Sequence, residues 1–197
     1  MTLKQSLIPR RYWECSLDDY VVDKGNDARE VVSDYIENIH DRLERGTGLT
    51  LCGPAGAGKT MLSCIIGRAA VEAGYSVMFV PMAQYMRWNL NLIAWGNREE
   101  FDEEWEKAQR TILKIRNKIQ FLLLDDVGKE HLTSSKFAED EFDFLVRHRY
   151  NRALPTIITS NQFVDEWNTR YSSTSMESFA KEAFPQVKVL STDRRGT

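Results

Sequence analysis

Residues 53–60 read GPAGAGKT, and no other stretch limits the fold of this chain so sharply. The octapeptide fits G-x-x-x-x-G-K-[ST]. It follows the apolar run LTLCG (49–53) and opens a segment in which Leu62, Ile65, Ile66, Ala69 and Ala73 fall at helical spacing. Strand, glycine loop and helix in that order form a cradle for phosphate. Gly53, Gly56 and Gly58 leave room for the backbone to wrap closely, so that its N–H groups turn toward phosphate oxygens. Lys59 is positioned to bridge β- and γ-phosphates and the Thr60 hydroxyl to ligate Mg²⁺, while the helix offers its positive N-terminal end. The expected nucleotide-binding residues are Gly53, Pro54, Ala55, Gly56, Ala57, Gly58, Lys59, Thr60 and Met61. A glycine-rich turn with a chance lysine would not be flanked correctly on both sides.

A chain built around such a unit should alternate strands and helices. Short apolar or β-branched runs recur at 75–82, 119–126, 155–161 and 187–191, the kind buried on both faces of a parallel sheet. Gly74 stands where the first helix would take its left-handed C-terminal residue. Ala138, Phe142, Leu145 and Val146 mark a further helix, ended before Leu154-Pro155. The expectation is a three-layer α/β P-loop fold with a five-stranded parallel sheet and right-handed crossovers. With 197 residues, 42% hydrophobic and 28% charged, one globular domain (1–197) is expected, with 1–48 as an N-terminal segment. The formal net charge of −3 leaves any nucleic-acid contact to a local patch. Cys15, Cys52 and Cys64 have no CxxC spacing and suggest neither zinc nor disulfides. No signal-peptide core and no apolar run of roughly 18 residues is present, so the expected location is cytoplasmic, with no membrane partner.

One connection, residues 83–118, exceeds a simple crossover and holds two helical candidates. The second has Asn97 as a cap, acidic residues (Glu99 to Glu106) in its first half and basic ones (Lys107 to Lys118) in its second, complementing the helix dipole. Phe101, Trp105, Ala108, Ile112, Ile115 and Ile119 form its apolar stripe. A solvated helix covering the sheet accounts for this pattern. The sharper reading gives Arg87, Trp88, Lys114, Arg116 and Lys118 to single-stranded nucleic acid, by phosphate charge and base stacking.

The run QFLLLDDVGKE (120–130) ends a buried strand on two carboxylates. Beside a P-loop, Asp125 suits the Mg²⁺ side and Asp126 the polarisation of an attacking water. Successive strand residues point to opposite sides, so the two need not compete. If the fourth strand lies between the P-loop strand and the Asp125 strand, its tip TSN places Asn161 beside the γ-phosphate. DDVG also fits the DxxG of GTP hydrolases, but no NKxD-type guanine motif follows. A small-molecule kinase would want arginine-rich lids and would not need TSN.

GPAGAGKT, FLLLDDVGKE, RYNRALPTIITSN and IPRRYWECSLDDY (8–20), in this order and spacing, resemble the ATPase domain of the DnaC/IstB-like AAA+ proteins, the bacterial and phage helicase loaders. The resemblance runs from residue 8 to about 195. It implies an oligomeric Mg-ATP switch acting in DNA replication, which contacts single-stranded DNA through a helical insertion and helps place a replicative helicase. Carried over, Lys59 and Thr60 are the Walker A pair, Asp125 and Asp126 the Walker B pair, and Asn161 the sensor. A second reading is an ATP-gated DNA-binding adaptor, such as a transposition accessory ATPase, with slow or incidental hydrolysis.

Three features depart from that pattern. Relatives usually carry an N-terminal helicase-binding domain, whereas fewer than 50 residues precede the first strand here. Near the place of the usual trans-acting arginine stands Phe179; either Lys181 or Arg170 substitutes, or the finger is absent and turnover is slow. The chain ends at Thr197, so no separate lid domain is expected, and Ile8, Pro9 and Arg10 would close the adenine pocket instead.

Overall fold

The structure, a computed structural model, describes residues 1–21, 26–95, 103–128, 135–167 and 174–190. Five strands, β1 (Leu49–Cys52), β2 (Val77–Pro81), β3 (Phe121–Val127), β4 (Thr156–Ser160) and β5 (Gln186–Lys188), form one parallel sheet in the order β2-β3-β4-β1-β5. Seven helices are described: α1 (Ala28–Glu37), α2 (Ile39–Glu44), α3 (Lys59–Glu72), α4 (Met82–Trp95), α5 (Glu103–Asn117), α6 (Ser135–Tyr150) and α7 (Thr174–Ala183). No described helix is long and apolar enough to cross a membrane.

The unbroken apolar run of β3 follows from burial on both faces. Phe121 and Leu123 join Leu51, Ile157 and the α1 and α3 residues Val32, Tyr35, Leu62 and Ile66 in one core. Leu122 and Leu124 join Ile158 and the α4, α5 and α6 residues Tyr85, Ile112, Ile115, Phe142 and Leu145 in the other. The expected three layers are thus present, with β4 between β1 and β3 as the sensor argument requires.

Helix ends follow local chemistry. Gly74 has φ +92°, and the N–H groups of Gly74 and Tyr75 bond the carbonyls of Val71 (3.0 Å) and Ala70 (2.9 Å). This paired closure of the last turn needs a residue without Cβ strain. In the long connection, α4 and α5 match the two expected helices, and Ala108, Ile112, Ile115 and Ile119 are buried as the stripe requires. Asn97, Glu99, Glu100 and Phe101 lie outside the described residues.

Three features were not anticipated. Helices α1 and α2 occupy the N-terminal segment, where Ala28, Val32, Tyr35 and Ile39 make a buried 4-3-4 stripe. The first residues cover the outer side of β2: the Phe79 N–H donates to the Ser6 carbonyl at 2.8 Å, and Ile8 is buried in the core beneath α3. Finally, Arg149 of α6 is fully buried and donates to five acceptors. These are the carbonyls of Ile115, Ile119, Gln120 and Pro155 and the Thr156 hydroxyl. Burial pulls its pKa down to about 9, so the guanidinium stays charged at neutral pH.

Candidate functional site

Strand order and register set the site. Cys52 of β1 pairs with Ser160 of β4, and Ser160 pairs with Val127 of β3, so the P-loop, the Thr159–Asn161 tip and the aspartate pair share one sheet edge. That edge, beyond the carboxyl ends of parallel strands, is where α/β sheets open a crevice. Two contacts brace the loop. A Cβ at Gly53 would lie 2.1 Å from the Val189 carbonyl oxygen, so the residue must be glycine for the chain leaving β5 to pass. Gly58, with φ +92°, packs under the ring of Tyr20, whose hydroxyl accepts from Asn26 at 2.9 Å; Asn26 also donates to the Leu190 carbonyl at 2.9 Å. The N-terminal segment and the residues that follow β5 therefore both brace the loop.

Within the loop, Gly56, Gly58, Lys59, Thr60 and Met61 line a cleft of about 730 Å³; Ala57 is buried beneath, and Pro54 and Ala55 are exposed. The buried Lys59 ammonium donates to the carbonyls of Gly53 (2.8 Å) and Pro54 (2.7 Å). The Thr60 hydroxyl donates to Asp125 Oδ1 at 2.9 Å. Thr159, which no sequence motif singles out, donates to the same oxygen at 2.7 Å and accepts from the Asp126 N–H at 2.9 Å.

The aspartates sit at an irregularity of β3 that strand alternation does not include. Between the pairs Leu124↔Ile158 and Val127↔Ser160, two residues of β3 oppose the single Thr159. This bulge leaves Asp126 with φ +58°. The two carboxylates therefore sit on a bulge with a left-handed second residue, not on a regularly alternating strand. Aspartate tolerates that conformation better than most side chains. Asp125 is buried, Asp126 half-buried, and both line the cleft.

Asn161 lines the cleft as well, and its amide oxygen is buried without a hydrogen-bond partner among the described residues. Such an atom has unused capacity to bind a ligand or water. The N-terminal wall comes from Pro9, Arg11 and Tyr12. Of the residues expected there, Pro9 faces the cleft, Ile8 is buried in the core and Arg10 is not among the lining residues. The adjacent hydroxyl of Thr60 and carboxylate of Asp125 are hard oxygen donors suited to Mg²⁺. No group of three His, Cys, Asp or Glu that could hold a metal occurs among the described residues.

The expected nucleic-acid residues do not behave as one set. Arg87, Lys114 and Lys118 are exposed, and Trp88 is half-buried beside a groove of about 230 Å³ between α4 and α5. Arg116 is placed differently from the other three basic residues. Its guanidinium turns inward to Glu141 (2.6 Å), Asn89 (3.0 Å) and the Tyr85 hydroxyl (3.0 Å), because its helical position points it at α6 rather than at solvent. Of the arginine-finger candidates, Arg170 lies outside the described residues and Lys181 pairs with Asp165 at 2.6 Å. Phe179 packs edge-on against Tyr150 and Phe184, with Arg147 over its ring at 4.3 Å.

Comparison with known proteins gives one consistent picture. The profile of the IstB-like ATP binding proteins matches residues 14–180. The chain is 29% identical over 171 residues to the insertion sequence IS21 putative ATP-binding protein of Pseudomonas aeruginosa, covering 86% of this chain and 57% of that one. It is 29% identical over 136 residues to the replicative helicase loader DnaI of Bacillus subtilis, covering 68% and 39%. It thus spans about half the length of these relatives. Among solved structures, the DnaC helicase loader superposes with a TM-score of 0.73 at 22% identity over 92% of this chain and all of that one. The replication initiator DnaA bound to AMPPCP and single-stranded DNA superposes with 0.69 at 22% identity over 96% and 53%. These structural likenesses concern the fold.

Proposed function

The chain belongs to the family of IstB-like ATP binding proteins, and from that premise we propose that it is a Mg-ATP-hydrolysing AAA+ switch controlling association with single-stranded DNA and a replicative helicase. The observation that carries the reading is the convergence, in one cleft, of Lys59, Thr60, Asp125, Asp126 and Asn161 from three adjacent strand ends. Lys59 neutralises β- and γ-phosphate charge once it exchanges its loop carbonyls for phosphate oxygens. Thr60 and Asp125 hold Mg²⁺, which supplies further neutralisation of the phosphates. Thr60 donates its only hydroxyl proton to Asp125, and so keeps its oxygen lone pairs for a cation. Asp126 orients the attacking water. Asn161 accepts a hydrogen bond from that water with its unpaired amide oxygen, and its amide NH₂ is the group able to donate to the γ-phosphate. Pro9 and Tyr12 close over the base.

The nucleic-acid surface is the α4–α5 pair. Arg87, Lys114 and Lys118 supply phosphate contacts and Trp88 a stacking face, which a net charge of −3 confines to this patch. The DnaI relative is named a helicase loader and the DnaA structure holds single-stranded DNA, which favours this use. A second reading, ATP-dependent service to a transposase, is favoured by the IS21 relative. In either case protomers associate around the nucleotide.

The test is single-stranded DNA binding against salt, with and without Mg-ATP, alongside pull-down of a purified replicative helicase or an IS21-type transposase. Replacing Lys114 and Lys118 together by glutamate should weaken binding and flatten the log–log salt slope by roughly 0.7 per lysine lost. Absence of DNA binding in every nucleotide state would overturn the DNA reading. Capture of the transposase but not the helicase would select the second reading.

A further inference from the structure

We propose that Thr159 is a positioning residue that holds the Asp125 carboxylate and the Asp126 backbone in their working geometry, and so sets how tightly Mg²⁺ couples to nucleotide. The inference rests on the ATP-Mg²⁺ reading of the same cleft. It begins with the buried environment: Thr159 has no exposed surface, and Asp125 is buried beside it. A hydroxyl buried against a carboxylate must have its single proton and its lone pairs committed. Here both commitments are visible. The proton goes to Asp125 Oδ1 at 2.7 Å, and a lone pair accepts the Asp126 N–H at 2.9 Å.

The bulge puts this hydroxyl where the regular pairing of β3 and β4 is interrupted. Thr159 alone faces two residues of β3. Its side chain supplies an acceptor for the Asp126 N–H and so supports the left-handed Asp126, whose φ is +58°. The same Oδ1 also receives the Thr60 hydroxyl, so one carboxylate oxygen is held between a P-loop hydroxyl and a β4 hydroxyl. The adjacent Ser160 continues the lacing: its hydroxyl donates to the Val127 carbonyl at 2.9 Å, and its carbonyl accepts from the Gly53 N–H at 3.2 Å. Partners of this kind, which orient a metal ligand from behind, typically change metal affinity or activity about 10- to 100-fold when removed.

The test compares Thr159→Val, which keeps the shape and removes the hydroxyl, with Thr159→Ser and Thr159→Cys, which retain a strong and a weak hydroxyl-type partner. Binding of a fluorescent N-methylanthraniloyl-ATP is titrated against Mg²⁺ and also measured in EDTA, with turnover and thermal unfolding recorded in parallel. We expect Thr159→Val to raise the Mg²⁺ concentration needed for half-maximal tightening about tenfold or more and to lower kcat similarly, with affinity in EDTA unchanged. Serine should restore wild-type values within about threefold, and cysteine should fall between, following hydrogen-bond strength. The inference is overturned if folded Thr159→Val matches wild type, or if valine outperforms serine, which would make packing the only role. Should Thr159→Val fail to fold, the order of serine and cysteine decides: equal Mg²⁺ requirements for the two would refute the proposal. If wild-type protein binds the probe without any Mg²⁺ effect, the underlying Mg-ATP reading fails and takes the inference with it.

Discussion

Asp125 and Asp126 are neighbours in sequence and unlike in every other respect. Asp125 is buried and takes two hydroxyl donors on one oxygen; Asp126 stands half-exposed on a left-handed residue at a bulge. Their difference suggests a substitution that separates the roles. Asparagine has the same shape as aspartate and tolerates the left-handed region, so Asp126→Asn removes charge without new strain. We expect turnover to fall about a hundredfold, with the affinity for Mg-ATP within about threefold of wild type. Phosphate release and equilibrium nucleotide binding check this. Loss of binding with unchanged turnover per bound ATP would reverse the assignment of the two carboxylates.

Elements are joined here by one cation as well as by apolar packing. Arg149 projects from the last turn of α6 to the final carbonyls of α5 and the chain entering β3 and β4, with no carboxylate among its five acceptors. Its fork geometry lets one side chain satisfy carbonyls that would otherwise be buried and unpaired. Arg149→Met should therefore cost about 3 kcal/mol or more of folding stability. Arg149→Lys should recover only part of that, because a point charge cannot reach all five acceptors. Urea denaturation of the two variants measures both, and equal stability of wild type and Arg149→Met would show that packing alone joins these elements. Arg116 illustrates the same logic on α5: a basic residue in a basic half-helix serves the α5–α6 junction because of where its turn faces.

At the level of the whole molecule, the exposed side of β2 is the place where a parallel sheet invites another strand. The first residues answer that hazard. The Ser6 carbonyl takes the Phe79 N–H, and the buried Ser6 hydroxyl donates to the Leu3 carbonyl at 2.7 Å, fixing the strap to itself. Deleting residues 1–7 should lower stability by about 1–2 kcal/mol. It should also promote concentration-dependent association through the uncovered edge, seen by light scattering in the absence of nucleotide. Unchanged stability and unchanged scattering would show that the strap is dispensable.

The layered α/β fold, the five strands and the P-loop were legible in the chain because each rests on a short-range pattern. An apolar run four to eight residues long, a glycine loop and a helical stripe all report local backbone preference and burial. The aspartate pair was legible as a motif for the same reason. Its geometry was not, because the bulge depends on β4 offering one residue where β3 has two, and that count exists only once the strands are paired. Thr159, Arg149 and the inward turn of Arg116 were hidden for a related reason: hydrogen-bond partners 34, 30 and 25 residues away are brought near by the topology, not by spacing. Periodicity tells which side of an element is buried. Which polar group meets which partner inside that buried layer is settled by strand order and register, since a hydrogen bond requires its two atoms within about 3 Å whatever their separation along the chain.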